Sequence, residues 1–198
     1  MAHEDQYIER AKAGDEEAFS ELMRLYETRV YRFLLRMTRS PDDALDLSQE
    51  TFLRVYRSLS LFRNQSSFST WIFSIAHHLC VDHARKMARK NRFSFHSVDD
   101  EDAMSLPDTG PTPEQVAENK LLAHEIDRAL GAITPDLREI FLLREISGLS
   151  YAEIAEALNL ELGTVKSRIA RARCALQKEF KEMRNKTKQN PSNDTEGR

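Results

Sequence analysis

The sequence predicts an all-α protein in which two small helical domains are joined by a flexible acidic linker. Three observations carry that prediction. Apolar residues recur at three- and four-residue steps through most of the chain, and strand-like alternation is sustained nowhere. The periodicity collapses between Ser94 and Gln115, where Asp99, Asp100, Glu101, Asp102 and Asp108 mix with Pro107, Gly110, Pro111 and Pro113. Residues 149–173 then read as two short helices around a tight turn. The expected boundaries are a helical domain over 1–93, the linker over 94–119, a second helical domain over 120–184 and a disordered tail over 185–198. That tail is almost free of apolar side chains.

Composition narrows the function classes. The chain has 198 residues, 40% of them hydrophobic, enough for the cores of two small domains. Net charge is only −3, so any nucleic-acid surface must arise from local segregation of charge. Cys80 and Cys174 are the only cysteines and fall in different expected domains, which argues against a disulfide framework and for a reducing cytoplasm. His3, Glu4 and Asp5 do not begin a signal peptide, and no apolar run approaches membrane-spanning length. The expectation is a soluble cytoplasmic protein with no membrane insertion.

Taken in order, Asp15 is positioned to cap a helix with Phe19, Leu22, Met23, Tyr26, Val30 and Phe33 along one stripe. Ser40 and Pro41 close it, because proline suits the first turn of a new helix but cannot continue an old one. The next helix, from about Pro41 to Leu59, turns Leu45, Ser48, Phe52, Val55, Tyr56 and Leu59 inward. Another face shows Asp46, Gln49, Glu50 and Leu53, which on spacing alone is a solvated helix surface. Residues 61–68 form a polar loop with an aromatic near each end. Ser69 or Thr70 then caps a helix with Trp71, Ile72, Ile75, Ala76 and Leu79 inward. Its far end carries Arg85, Lys86, Arg89, Lys90 and Arg92 without an acid among them, followed by Phe93 and Phe95. Part of that pattern suits the helix macrodipole, but its density favours nucleic acid.

The second domain restarts with Leu121, Leu122, Ile126 and Leu130, and Thr134-Pro135 opens a helix bearing Leu137, Ile140, Phe141 and Leu142. Ser150 with Glu153 three residues on has capping-box spacing, and Ile154, Ala155 and Leu158 form the apolar face that follows. Gly163 and Thr164 are read as stopping one helix and capping the next. Val165, Ile169, Ala172 and Leu176 then face inward, leaving Lys166, Ser167, Arg168, Ala170 and Arg171 outward. A helix-turn-helix presents such a face to the DNA major groove.

Other chemistry finds less support. His77, His78, Cys80 and His83 share one helix, but a closed zinc site draws four ligands from two elements, so no metal is expected. The chain has no Gly-rich phosphate loop and no nucleophile beside a base, so neither a cofactor nor an enzymatic activity is expected.

The run from Asp46 to Tyr56, Phe68-Ser69-Thr70-Trp71-Ile72, Ile75-Ala76, Asp82, Arg85 and the stretch 148–173 together resemble one family. They look like an alternative sigma factor of bacterial RNA polymerase, of the extracytoplasmic-function group with a sigma-2 and a sigma-4 domain. The resemblance covers the chain from about Asp15 to Arg184. It implies an initiation factor that binds core RNA polymerase and promoter DNA. Asp46, Gln49, Glu50 and Leu53 would dock on the clamp helices of the largest subunit, and the sigma-4 domain on the flap of the second-largest.

Further roles follow from the same resemblance. Phe62, Asn64, Gln65, Ser66 and Ser67, with Trp71, would receive a base flipped from the non-template strand of the −10 element. Arg85, Lys86 and Arg89 would grip phosphates, and His78 stands where the family often has Asn. Lys166, Ser167, Ala170 and Arg171 match the positions that meet the −35 element, with Arg168 on the backbone. An anti-sigma factor is implied, and the acidic linker suggests mimicry of RNA phosphates. The competing reading is a stand-alone helix-turn-helix regulator. Such a protein has no need of an acidic docking helix, an aromatic-flanked loop and a basic helix in that order.

Overall fold

The structure, a computed structural model, describes residues 2–93 and 113–189. The acids from Asp99 to Asp108, and the tail beyond Gln189, lie outside them. The helices are α1 (Ala2–Lys12), α2 (Glu16–Thr38), α3 (Pro41–Ser58), a 3-10 turn (Leu59–Leu61), α4 (Phe68–Phe93), α5 (Pro113–Ala132), α6 (Pro135–Glu145), α7 (Tyr151–Leu158) and α8 (Leu162–Gln189). No strand occurs among the described residues, as the helical periodicity predicts. Residues 113–119 at the end of the expected linker are the first turns of α5, and α8 runs past the expected start of the tail. The chain divides into two compact units. Described residues 2–93 and 142–166 belong to the first, and 113–141 and 167–189 to the second.

In the first unit, α1 is a separate helix that the sequence reading does not resolve. It ends at Lys12, and the turn after it passes through Gly14, whose φ of +92° a side chain rarely adopts. Asp15 then caps α2, its Oδ1 accepting the Ala18 amide at 3.0 Å. That amide, and then the Arg10 guanidinium, hold the Asp15 carboxyl below its ordinary pKa. α2 stops at Arg39, a left-handed residue (φ 60°) whose amide donates to the Leu35 carbonyl at 2.8 Å. Ser40 caps α3 through the Asp43 amide, with Pro41 in the first turn.

Leu22, Val30, Phe33 and Leu34 of α2 and Ile72, Phe73 and Ala76 of α4 are completely buried, and Phe33 meets Phe73 edge-on at 5.7 Å. α3 inserts Ala44, Leu47, Ser48, Thr51 and Val55. This corrects the sequence reading, since Leu45 is 52% and Tyr56 55% exposed. Small Ala44 and Thr51 permit close approach of the helices, and the stripe rotates to put them inside. Leu45 and Tyr56 move outward as a result.

In the second unit, α6 is tied to the end of α5 by Arg138. Its guanidinium is buried and donates to the carbonyls of Leu130 (2.7 Å), Gly131 (3.2 Å) and Ile133 (3.3 Å). Those carbonyls have no further helical turn to accept from, and a cation also complements the C-terminal dipole. Arg138→Met is expected to cost about 1.5–3 kcal/mol, because it strands buried acceptors while keeping the bulk. Arg138→Lys should recover only part of the loss, as one ammonium lacks the planar fork. Denaturant unfolding of the intact chain checks this. An unchanged midpoint for Arg138→Met would contradict the assignment.

Candidate nucleic-acid interface

The approach to α4 is fixed by rings. Phe62 and Phe68 are buried and meet at 5.5 Å. Trp71 lies 5.0 Å from Phe62 and 5.6 Å from Phe68, and Tyr26 of α2 meets Phe68 at 5.3 Å. Lys12 of α1 places its ammonium 5.2 Å from the centre of the Phe62 ring. Pinned at both ends, the loop between turns Arg63, Asn64, Gln65 and Ser67 to solvent and leaves Ser66 half-buried. Asn64 takes a left-handed conformation (φ 54°), tolerated by Asn better than by most residues.

The structure corrects the cap of α4. Neither Ser69 nor Thr70 fills that role. The Ser67 hydroxyl accepts the Thr70 amide at 3.1 Å, and the Ser67 carbonyl accepts the Trp71 amide at 3.1 Å. The helix starts early because Phe68 is drawn into the ring cluster. Phe62 is only 6% exposed, so its ring supports Trp71 from behind, while half-buried Trp71 keeps an open edge.

At 100° per residue, Trp71, His78, Arg85 and Arg89 fall on one face of α4, with Lys86 beside them. The eighteen steps from Trp71 to Arg89 span about 27 Å at 1.5 Å each. His78, Arg85, Lys86 and Arg89 are exposed. Asp82 sits 3.7 Å from Arg85, a solvated pair of little energetic consequence. The exposed loop thus precedes a face of α4 that carries the half-buried indole and then the exposed cations.

On α3, Asp46, Gln49 and Leu53 are exposed, and half-buried Glu50 accepts from Arg54 at 2.9 Å. Leu45 and Tyr56 flank this face. Sequence reasoning missed both as surface residues because their spacing also fits a core stripe.

α7 begins at a capping box. The Ser150 hydroxyl accepts the Glu153 amide at 3.2 Å, and Glu153 Oε2 accepts the Ser150 amide at 2.8 Å. α7 ends at Asn159, in the left-handed conformation (φ 50°). This corrects the expectation for Gly163 and Thr164, which both lie inside α8. The amides of Thr164 and Val165 donate to the Glu161 carbonyl, so the new helix starts before them. Buried on α7 are Ile154 and Ala157, while Ala155 and Leu158 are half-buried.

α8 follows expectation closely, with Val165, Ile169, Ala172 and Leu176 buried. Lys166, Ser167, Ala170 and Arg171 are exposed. Arg168 is half-buried, with Nη1 3.9 Å from Asp136 Oδ2.

Glu153 has a second set of partners. Its Oε1 accepts the Ser67 hydroxyl at 2.6 Å and the Thr70 hydroxyl at 3.2 Å. Burial raises its carboxyl pKa, but the Ser67 hydroxyl, the Ser150 amide and hydroxyl, and the Thr70 hydroxyl outweigh this and bring it down to about 2.

The histidine cluster disperses. The rings of His77 and His78 lie 5.0 Å apart, Cys80 is buried, and His83 Nε2 is 3.4 Å from Asp43 Oδ2. No group of three or more His, Cys, Asp or Glu side chains among the described residues is placed to hold a metal ion. Nor is any described helix long and apolar enough to cross a membrane.

Comparison with known proteins agrees with this geometry. The family Sigma-70 region 2 matches residues 22–90, and Sigma-70, region 4 matches residues 123–176. The ECF RNA polymerase sigma factor SigE of Mycolicibacterium smegmatis is 37% identical over 163 residues, covering 81% of this chain and 62% of that protein. The ECF RNA polymerase sigma factor SigW of Bacillus subtilis is 31% identical over 180 residues, covering 89% of this chain and 96% of its own length. Among solved structures, the sigma factor RpoE of Bartonella quintana, in complex with the anti-sigma factor NepR, superposes with a TM-score of 0.69 at 26% identity. That match covers 82% of this chain and 96% of RpoE. Two sigma-70 regions in the expected order, and relatives 31–37% identical over more than four-fifths of this chain, place the chain in a single family: it belongs to the extracytoplasmic-function (ECF) sigma factors of the sigma-70 family.

Proposed function

We infer that this protein directs promoter-specific transcription initiation as an alternative sigma factor, working with core RNA polymerase in a stress or envelope response. The observation that supports the reading is that sigma-70 regions 2 and 4 match one chain, with exposed cations along α4 and along the outer face of α8. The domain limits proposed are 1–93 for the sigma-2 part, 94–119 for the linker, 120–184 for the sigma-4 part and 185–198 for the tail. The protein contributes recognition and strand separation, with no bond chemistry of its own, and acts in the cytoplasm. By analogy with the Bartonella complex, an anti-sigma factor is proposed as its regulator.

At the −10 element, Asn64, Gln65, Ser66 and Ser67 supply donors and acceptors for a flipped base, and the Trp71 edge, backed by Phe62, supplies a stacking surface. His78, Arg85, Lys86 and Arg89 guide the strand along α4. Unstacking a base costs a few kcal/mol. Stacking of about 1–3 kcal/mol, with hydrogen bonds, holds it out. At the −35 element, Lys166, Ser167, Ala170 and Arg171 face base edges, and Arg168, oriented by Asp136, faces the backbone. The polymerase face comprises Asp46, Gln49, Glu50 and Leu53, to which Leu45 and Tyr56 add apolar area. Complementary charge there sets register, and buried apolar area adds affinity.

Run-off transcription with core polymerase on a promoter library tests the whole reading; no start-site selection would end it. Arg171→Ala should reduce transcription roughly tenfold from −35-dependent promoters, the discrimination carried by one good guanine contact of about 1–3 kcal/mol. Equal output from the altered protein would remove Arg171 from the base-reading set. Leu53→Asp should weaken core-polymerase binding in a DNA-free assay while leaving helix content unchanged. Retained core binding would displace the docking face from α3. Trp71→Ala should leave closed-complex formation intact and impair strand opening, measured by permanganate reactivity of unpaired thymines. Normal opening would exclude the indole from strand capture.

A further inference from the structure

We propose that α1 is a splint for the capture site, holding both ends of the ring cluster, and that Lys12 is a positioning residue for the Trp71 indole. The inference rests on the reading of that indole as the surface that receives a flipped base. The sigma-70 region 2 match begins at residue 22, so α1 lies outside it.

Glu4, Ile8 and Lys12 follow one another at four-residue steps and so share one face of α1. Each meets a different partner. The Tyr26 hydroxyl donates to Glu4 Oε1, Ile8 is buried, and Lys12 sets its ammonium 5.2 Å from the centre of the Phe62 ring. Burial, and then Glu4, push the Tyr26 hydroxyl well above its ordinary pKa, so it stays a donor. The eight steps from Glu4 to Lys12 span about 12 Å. That reach matches the path from Tyr26 through Phe68 to Phe62, two ring-to-ring steps of 5.3 and 5.5 Å.

At the Phe62 end the helix reaches the loop itself. Glu9 Oε1 accepts from the Lys12 ammonium at 3.0 Å, which keeps the cation beside the ring. Lys12 first, and then the Asn64 side-chain amide, hold the exposed Glu9 carboxyl below its ordinary pKa. A carboxylate only accepts, so Asn64 turns an N–H toward α1 and keeps its carbonyl oxygen and second N–H for a base edge. α1 is tied down beyond its last turn as well, where Arg10 pairs at 2.7 Å with Asp15, the cap of α2. Phe62 therefore meets both the Lys12 ammonium, at 5.2 Å, and the Trp71 indole, at 5.0 Å. Without the cation Phe62 is free to shift, and the indole loses its backing.

Lys12→Ala is the selective variant, because alanine is the best helix former and the loss is confined to the contacts with Phe62 and Glu9. Lys12→Arg restores a cation at the ring. Trp71 is the only tryptophan, so its fluorescence in the free chain reads the indole directly. Acrylamide quenching should be about twofold stronger in Lys12→Ala than in the parent, with Lys12→Arg returning to the parent value. Equal quenching of Lys12→Ala and the parent overturns the splint. In holoenzyme, Lys12→Ala should lower strand opening about fivefold by permanganate reactivity, with closed-complex formation unchanged and Lys12→Arg near the parent. Unchanged opening, an equal loss in closed-complex formation, or a loss that Lys12→Arg does not repair removes Lys12 as a positioning residue. Normal opening by Trp71→Ala instead removes the indole from strand capture, and the quenching comparison still decides whether α1 holds the rings.

Discussion

Four rings govern where the first unit can present chemistry. Tyr26, Phe62, Phe68 and Trp71 meet successively at 5.0–5.6 Å, joining α2, the exit from the 3-10 turn and the start of α4. Aromatic pairs of this kind contribute about 0.5–1.5 kcal/mol each beyond the area they bury. Because both ends of the loop at 63–67 are anchored in that cluster, most of its side chains face solvent and only Ser66 is half-buried. Asn64, Gln65 and Ser67 stay exposed, beside an indole whose back is already supported by Phe62. A flexible loop of the same composition would have to be ordered on binding any ligand, at about 1–2 kcal/mol of backbone entropy per residue.

Charge is arranged on a similar economy of position. The chain as a whole is slightly acidic, yet Arg85, Lys86 and Arg89 line one end of α4, and Lys166 and Arg171 the outer face of α8. Phosphate contacts made by so few cations are salt-sensitive and carry no sequence information. Under the proposed function they would position two readers that gain specificity by different means: base edges in duplex DNA for α8, and an extruded base for the loop. The acidic and apolar face of α3 fits a protein partner better than DNA, since its carboxylates would repel phosphate.

The helical class and the inner and outer faces of α8 were legible in the sequence, because Val165, Ile169, Ala172 and Leu176 keep an unbroken helical period. So was the capping box at Ser150. The rotation of α3 was not, since Leu45 and Tyr56 fit an apolar stripe as well as Ala44 and Thr51 do. Only the packing of small residues against α2 and α4 decides between them. The cap of α4 was misplaced by two to three residues because a ring cluster formed by distant segments draws Phe68 in. The turn before α8 was assigned to Gly163, whereas Asn159 supplies the left-handed residue. Arg138 was invisible as a cap, for its three acceptors come from the end of the preceding helix.

Glu153 shows how one carboxylate can serve two levels of organisation. One oxygen closes the first turn of its own helix, at the end where the macrodipole favours negative charge. The other meets hydroxyls from the mouth of α4. Partly solvated hydrogen bonds of this kind contribute about 1 kcal/mol each. The Arg29 guanidinium adds a separate tie, donating to the Ser147 carbonyl just before α7, so the first turn of that helix is fixed by two groups that share no atom.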